Sequence, residues 1–180
     1  GGQFHMELID THAHLDFPRF DKDRKKVIED ASEGGVKTIV NIGADMTSSR
    51  NSVELSRRFE QIYAAVGIHP HEADSFDLNV SKKLRKLADN EKVVAVGEIG
   101  LDFHYDNSPR EEQKRAFRAQ LRLAKDLELP VAIHTREADK ETVKILKEEK
   151  AEEIGGIMHC FAGDKKMARE IMDLGFYLAF

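Results

Sequence analysis

Seven short apolar runs, each followed by a stretch with helical apolar spacing, constrain this chain more than any other feature. The pattern predicts strands over Glu7–Thr11, Thr38–Ile42, Ile62–Ile68, Val93–Ile99, Val131–Ile133, Gly155–Met158 and Phe176–Phe180. Between them, Val27, Ile28 and Ala31 mark one face of a helix near Lys22–Ser32, which Gly34-Gly35 stops. Thr47 or Ser48 caps a second helix running to about Glu60, and Ser81 caps a third with Leu84, Leu87 and Ala88 inward. Ser108-Pro109-Arg110-Glu111 reads as a capping box opening the helix that carries Phe117, Leu121 and Ala124. A helix to about Lys150 follows the fifth run. Another, capped by Asp164 and stopped by Gly175, follows the sixth.

Repeated β-helix-β units require a parallel sheet with right-handed crossovers. Two architectures satisfy that: a TIM (β/α)8-type barrel and an open doubly wound sheet. The barrel is the better reading because polar residues sit at the C-terminal ends of strands one, three, four, five and six. A closed ring gathers those ends around one axis. A whole eight-fold barrel takes roughly 250 residues, so 180 residues are expected to hold about seven strands of one, with its C-terminal part missing. Gly1 to His5 read as a cloning remnant before a native start at Met6, leaving residues 6–180 as one barrel domain.

Bulk properties exclude several classes. A net charge of -5 offers no global basic field for nucleic acid, so any phosphate must be gripped locally. The single cysteine, Cys160, rules out an intramolecular disulfide framework and suits a reducing compartment. No apolar run reaches the ~20 residues of a membrane helix. A soluble, cytoplasmic protein without a membrane partner is the expectation.

Chemistry collects at the strand ends. His12 and His14 are two apart on an extended backbone and therefore leave the strand on one side. Glu98, His134 and His159 end three later strands at equivalent points. Each alone has an ordinary reading: a surface acid, a hydrogen-bonded core histidine, a buried neighbour of Cys160. Together they would put four imidazoles and a carboxylate in one layer of a barrel, where burying them unpaired costs several kcal/mol apiece. A cation removes that penalty. The donor count exceeds what one four-coordinate ion with an open position can use, so two divalent ions are expected, with Glu98 bridging. Mixed imidazole and carboxylate donors suit Zn, Mn, Fe or Ni, whereas Mg alone would be unusual. Hydrolysis is the chemistry such a pair of ions supports.

Four segments then carry a family likeness: Asp10-Thr11-His12-Ala13-His14-Leu15-Asp16, Gly97-Glu98-Ile99-Gly100-Leu101-Asp102, Ile133-His134-Thr135-Arg136 and Met158-His159-Cys160-Phe161-Ala162-Gly163. From Met6 to Phe180 the chain resembles the TatD-type metal-dependent deoxyribonucleases of the amidohydrolase-like TIM-barrel superfamily. The resemblance implies that His12 and His14 bind one metal, that His134 and His159 bind the second, and that Glu98 is the catalytic bridge. It implies phosphodiester hydrolysis of DNA by metal-activated water, 3′-to-5′ and exonucleolytic. The family pattern also has a metal-binding aspartate after strand eight, beyond Phe180. The expectation is therefore a fragment, or a barrel completed by another subunit.

Four further residues are candidate substrate contacts. His69 and His71 flank Pro70, for phosphate contact or simply as exposed rings of a tight loop. Arg136 stands two residues past His134, for phosphate or for a salt bridge to Glu137 or Asp139. Asp102, with His104 and Tyr105, occupies the longest loop on the active face and could line a substrate groove. Cys160 is expected to pack rather than react. Two rival functions stand beside DNA hydrolysis: a small-molecule amidohydrolase or deaminase, and an inactive folding or assembly module. Unpaired edges at strands one and seven also favour dimerisation or strand exchange.

Overall fold

The computed structural model describes residues 7–180, and the proposed remnant at Gly1–His5 lies outside them. Seven strands form one sheet in sequence order: β1 (Leu8–Ala13), β2 (Val36–Ile42), β3 (Ile62–Val66), β4 (Val93–Asp102), β5 (Val131–Arg136), β6 (Gly156–Met158) and β7 (Phe176–Leu178). All six pairings are parallel. The intervening helices are α1 (Arg24–Glu33), α2 (Met46–Arg58), α3 (Leu78–Ala88), α4 (Arg110–Leu127), α5 (Asp139–Glu148) and α6 (Lys165–Asp173). Among the described residues, no helix is long and apolar enough to cross a membrane.

One contact decides between barrel and open sheet. The rings of His12, on β1, and His159, just past β6, stack with centroids 3.4 Å apart. Five strand spacings of ~4.8 Å would hold them ~24 Å apart in a flat sheet. The sheet is therefore curled into most of a barrel, with helices outside. Ile42, Ala65 and Ala132 face its interior with Val40, Ala95 and Ile157. Larger side chains, among them Phe117, Leu121, Ile133 and Ile145, fill the layer between strands and helices. The curl leaves β1 and β7 without a second strand partner among the described residues, and Ile9 and Tyr177 on those edges are exposed.

Three expected caps are corrected. Asp45, not Thr47 or Ser48, caps α2, accepting from the Ser48 amide at 2.7 Å. Asp77, not Ser81, caps α3, accepting from the Val80 amide at 2.7 Å. No capping box opens α4: its N-cap is Pro109, which makes no side-chain cap. Ser108 is instead fully buried and donates to the His71 carbonyl at 2.8 Å, tying the entry of α4 to the loop after β3. The cap at Asp164 is present, on the Met167 amide at 2.8 Å.

Candidate metal centre

The C-terminal ends of the strands meet at Glu98. This carboxylate, from within β4, is 4% exposed, and its own amide donates to the Gly43 carbonyl at 2.7 Å. On one side of it, His12 Nε2 lies 3.3 Å and His14 Nε2 3.9 Å from Oε2. On the other, His134 Nδ1 lies 3.2 Å from Oε1. Burial alone would raise the Glu98 pKa, but the His12 and His134 rings outweigh it and hold the carboxyl well below its usual range. Glu98 is an anion ringed by imidazoles.

Local sequence sets each ring. His14 donates Nδ1–H to the Ile42 carbonyl at 3.0 Å, which leaves its Nε2 as the free lone pair. Beyond His14 the chain is pinned by Asn41, a fully buried residue of β2. It accepts from the Leu15 amide at 2.6 Å and donates to Asp16 at 2.9 Å. His12 is different. Its side chain is only 6% exposed, yet Nδ1 has no partner and Nε2, 3.3 Å from Glu98 Oε2, is not aligned for a hydrogen bond. A buried polar ring left unsatisfied costs ~1–3 kcal/mol, and a cation beside Glu98 would remove that cost. The residues present therefore fit a divalent ion.

Donor atoms gather in two groups that share Glu98: His12 with His159, and His69 with His134, each set lying within 4.8 Å. Two metal positions are thus available, one on each side of the carboxylate. The grouping differs from the resemblance: His14 joins neither set, His69 stands with His134, and His159 changes side. His159 sits against His12 rather than His134, because the curl of the sheet brings the end of β6 over β1. Cys160, expected to pack, is exposed, and its Sγ is 3.1 Å from His159 Nε2.

The candidate substrate residues are placed unequally. His69 and His71 stand beside His134, with the His69 and His134 ring centroids 4.5 Å apart. The His69 Nδ1 accepts the His71 backbone amide at 3.1 Å. A neutral ring so held carries its proton on Nε2 in the absence of an ion. Arg136 is exposed at the end of β5, its guanidinium 4.8 Å above the Tyr105 ring. Glu137 is taken by His104 at 2.7 Å. Asp102, expected in the substrate groove, is fully buried: its side chain turns inward to the His71 and His134 rings instead.

Sequence reasoning missed two residues that hold these loops. Gln113 is fully buried on α4, accepts from the Asp102 amide at 2.8 Å and donates to the Asp102 carbonyl at 3.0 Å. Gln120 grips Ile68, next to His69, in the same two-way fashion, at 2.8 and 3.0 Å. The signal was available: both lie on the apolar face of α4 marked by Phe117 and Leu121.

The buried rings predict a pH response of the metal-free protein. Burial depresses His69 and His159 to about 4, from an ordinary 6.5, and lowers His14 as well, with His12 adding to the effect. Folding thus favours their neutral forms, a contribution complete above the unfolded pKa and lost as pH falls through the folded one. His134 moves the other way: burial would lower it, but Glu98 and Asp102 raise it. Its contribution is already complete below 6.5, so it cannot offset the loss. Thermal melts in chelator should show Tm falling by about 10 °C between pH 6.5 and pH 4. A flat Tm over that window would contradict the neutral-ring assignment.

Comparison with known proteins gives consistent answers. A family model described as TatD related DNase matches residues 9–180. The uncharacterized metal-dependent hydrolase YabD of Bacillus subtilis (strain 168) is 46% identical over 173 residues, covering 96% of this chain and 68% of that protein. The 3′-5′ ssDNA/RNA exonuclease TatD of Cronobacter sakazakii is 36% identical over 171 residues, covering 95% of this chain and 65% of that protein. A crystal structure of YJJV, a TatD homolog from Escherichia coli, superposes with a TM-score of 0.87 at 32% identity, over 95% of this chain and 66% of that one. The chain spans about two thirds of the length of these relatives.

Proposed function

Because this chain belongs to the TatD related DNase family of metal-dependent hydrolases, we propose that it serves hydrolysis of DNA phosphodiester bonds, working 3′-to-5′ from a strand end. The observation that carries this reading is Glu98: a buried anion with imidazoles on both of its oxygens, one of them His12 with neither nitrogen satisfied. In the proposed assignment His12, His14 and His159 would hold an ion on the Oε2 side of Glu98 and His134 would hold one on the Oε1 side, with the carboxylate shared between them. Divalent ions held there supply Lewis acidity at a phosphoryl oxygen and acidify water.

The chain's own residues would do the rest. His69, with Nδ1 occupied, offers an Nε2–H to a phosphate oxygen. Arg136, with Glu137 engaged by His104, offers a guanidinium fork to the same group or its neighbour. Tyr105, 54% exposed beside it, offers a face on which a base can stack. These local contacts matter because a chain of net charge -5 does not attract a polyanion at long range. The Cronobacter relative's stated action on single-stranded DNA and RNA at 3′ ends supports the choice of substrate.

A small-molecule amidohydrolase would use similar donors on a carbonyl or amidine carbon. The purified protein should therefore be assayed on 3′-labelled single-stranded DNA beside a panel of cyclic amides. Release of 3′ nucleotides, abolished by chelator and restored by Mn2+ or Zn2+, is expected. Turnover of the amides without the DNA would overturn the proposal, and turnover of neither would favour an assembly module.

A further inference from the structure

Asp102 has no exposed surface, and all of its acceptor positions are filled. Its Oδ1 takes the backbone amides of His104 at 3.1 Å and Tyr105 at 2.9 Å. Its Oδ2 lies 3.0 Å from His71 Nε2 and 3.0 Å from His134 Nε2. An ionised carboxylate only accepts, so both ring nitrogens facing Oδ2 must carry their hydrogens. Gln113 fixes the carboxylate's own main chain on both sides. The arrangement leaves Asp102 no freedom to meet a substrate. On the opposite side of the ring, His134 Nδ1 lies 3.2 Å from Glu98 Oε1, so two carboxylates compete for the proton of the neutral ring, and Asp102 is the nearer.

We propose that Asp102 is a positioning residue, whose buried carboxylate keeps the ring protons of His134 and His71 on Nε2 so that His134 presents its Nδ1 lone pair beside Glu98. The inference rests on the reading of His134 as a metal ligand. It adds the group that decides which nitrogen is available. An imidazole can ligate only through an unprotonated nitrogen, and the partner of the other nitrogen makes that choice. His14 obtains the same result from a backbone carbonyl, through the opposite nitrogen. Two neighbouring ligands thus use different ring atoms, each selected by its own acceptor.

Asp102→Asn tests the point with little change of shape. Its amide oxygen can still accept from His104 and Tyr105, but an –NH2 then faces the two rings. A donor there favours a bare Nε2 and moves the His134 proton to Nδ1, where it blocks a cation. Long-range 1H–15N spectra of the histidine rings, recorded without metal at pH 9, should show Nε2–H for His134 and His71 in the parent. In the variant His134 should show Nδ1–H, and Mn2+ affinity should fall by roughly 10–100-fold, with the melting curve of the metal-free protein retained. A parent spectrum with Nδ1–H on His134 would overturn the proposal even if the variant did not fold. So would a folded variant of unchanged affinity. A parent that takes up no Mn2+ would remove the metal reading instead, a failure told apart because the ring spectra need no metal.

Discussion

Glu98→Ala should lose bound divalent metal and phosphodiester hydrolysis together. Both groups of donor atoms share this one carboxylate, so its removal strips a ligand from each at once. It also leaves His12, His14 and His134 as neighbouring imidazoles without the anion they surround, so a cation would meet ring dipoles but no compensating charge. Metal content by elemental analysis should drop from two equivalents to one or none. Turnover of single-stranded DNA should drop by roughly 10^3-fold or more, the loss of ~4 kcal/mol of transition-state stabilisation. Glu98→Gln keeps the volume and withdraws only the charge, and should fall nearly as far. If the alanine variant kept its metal stoichiometry, the bridging assignment would be wrong, whatever happened to the rate.

Gly100→Ala is expected to be the most damaging single methyl in the chain's active face. Gly100 has φ +140°, and a Cβ built there would lie 1.9 Å from the His134 carbonyl oxygen. It pairs with His134 in the β4–β5 ladder, between Glu98 and Asp102 on β4. The added methyl is fixed to the β4 main chain and the atoms it meets are backbone atoms of His134, so no rotamer change relieves the overlap, and the two strands must part at the residue that faces both carboxylates. A cost of ~3–5 kcal/mol corresponds to a fall of about 10 °C in Tm for a domain of this size. Gly175→Ala supplies the control. It has φ +77° but nothing within 4 Å of the added carbon, so only the ~1–2 kcal/mol of left-handed backbone strain applies. Thermal melts of the two variants should differ by more than 5 °C. Equal losses would mean that backbone conformation, not the approach of β5, makes Gly100 necessary.

The alternation of apolar runs and amphipathic helices made the strand order legible, because buried parallel strands are short, apolar and bounded by turn residues. Strand ends were less so. β4 runs to Asp102 and β5 to Arg136, past the apolar runs, since both continue into the active face where polar side chains are served by the site rather than by water. His12, His14, Glu98 and His134 could be placed at one face from spacing alone. The contact of His159 with His12 could not, for it depends on how tightly the sheet curls, and curl is a sum of small twists with no local signature. Ser108 shows the limit of motif reading: Ser-Pro-Arg-Glu fits a capping box, but a long-range partner, the His71 carbonyl, competed for the hydroxyl and won. From the sequence Asp102 reads as part of the longest loop on the active face, open to a substrate groove. Only the packing of His71 and His134 against it explains why it is not.

Gln113 and Gln120 have a consequence for how the active face varies. They are two helical turns apart on α4, a span of ~10 Å along a rigid rod, and each clasps a different loop through main-chain atoms alone. The helix thus works as a splint: the relative height of the His69 and Asp102 segments is dictated from outside the sheet, by main-chain atoms that every amino acid but proline possesses. The exposed side chain of Tyr105 can be exchanged without upsetting that alignment, whereas the buried link from Asp102 to His71 cannot, so this corner of the molecule can be retuned toward new ligands at its rim while its scaffold stays put.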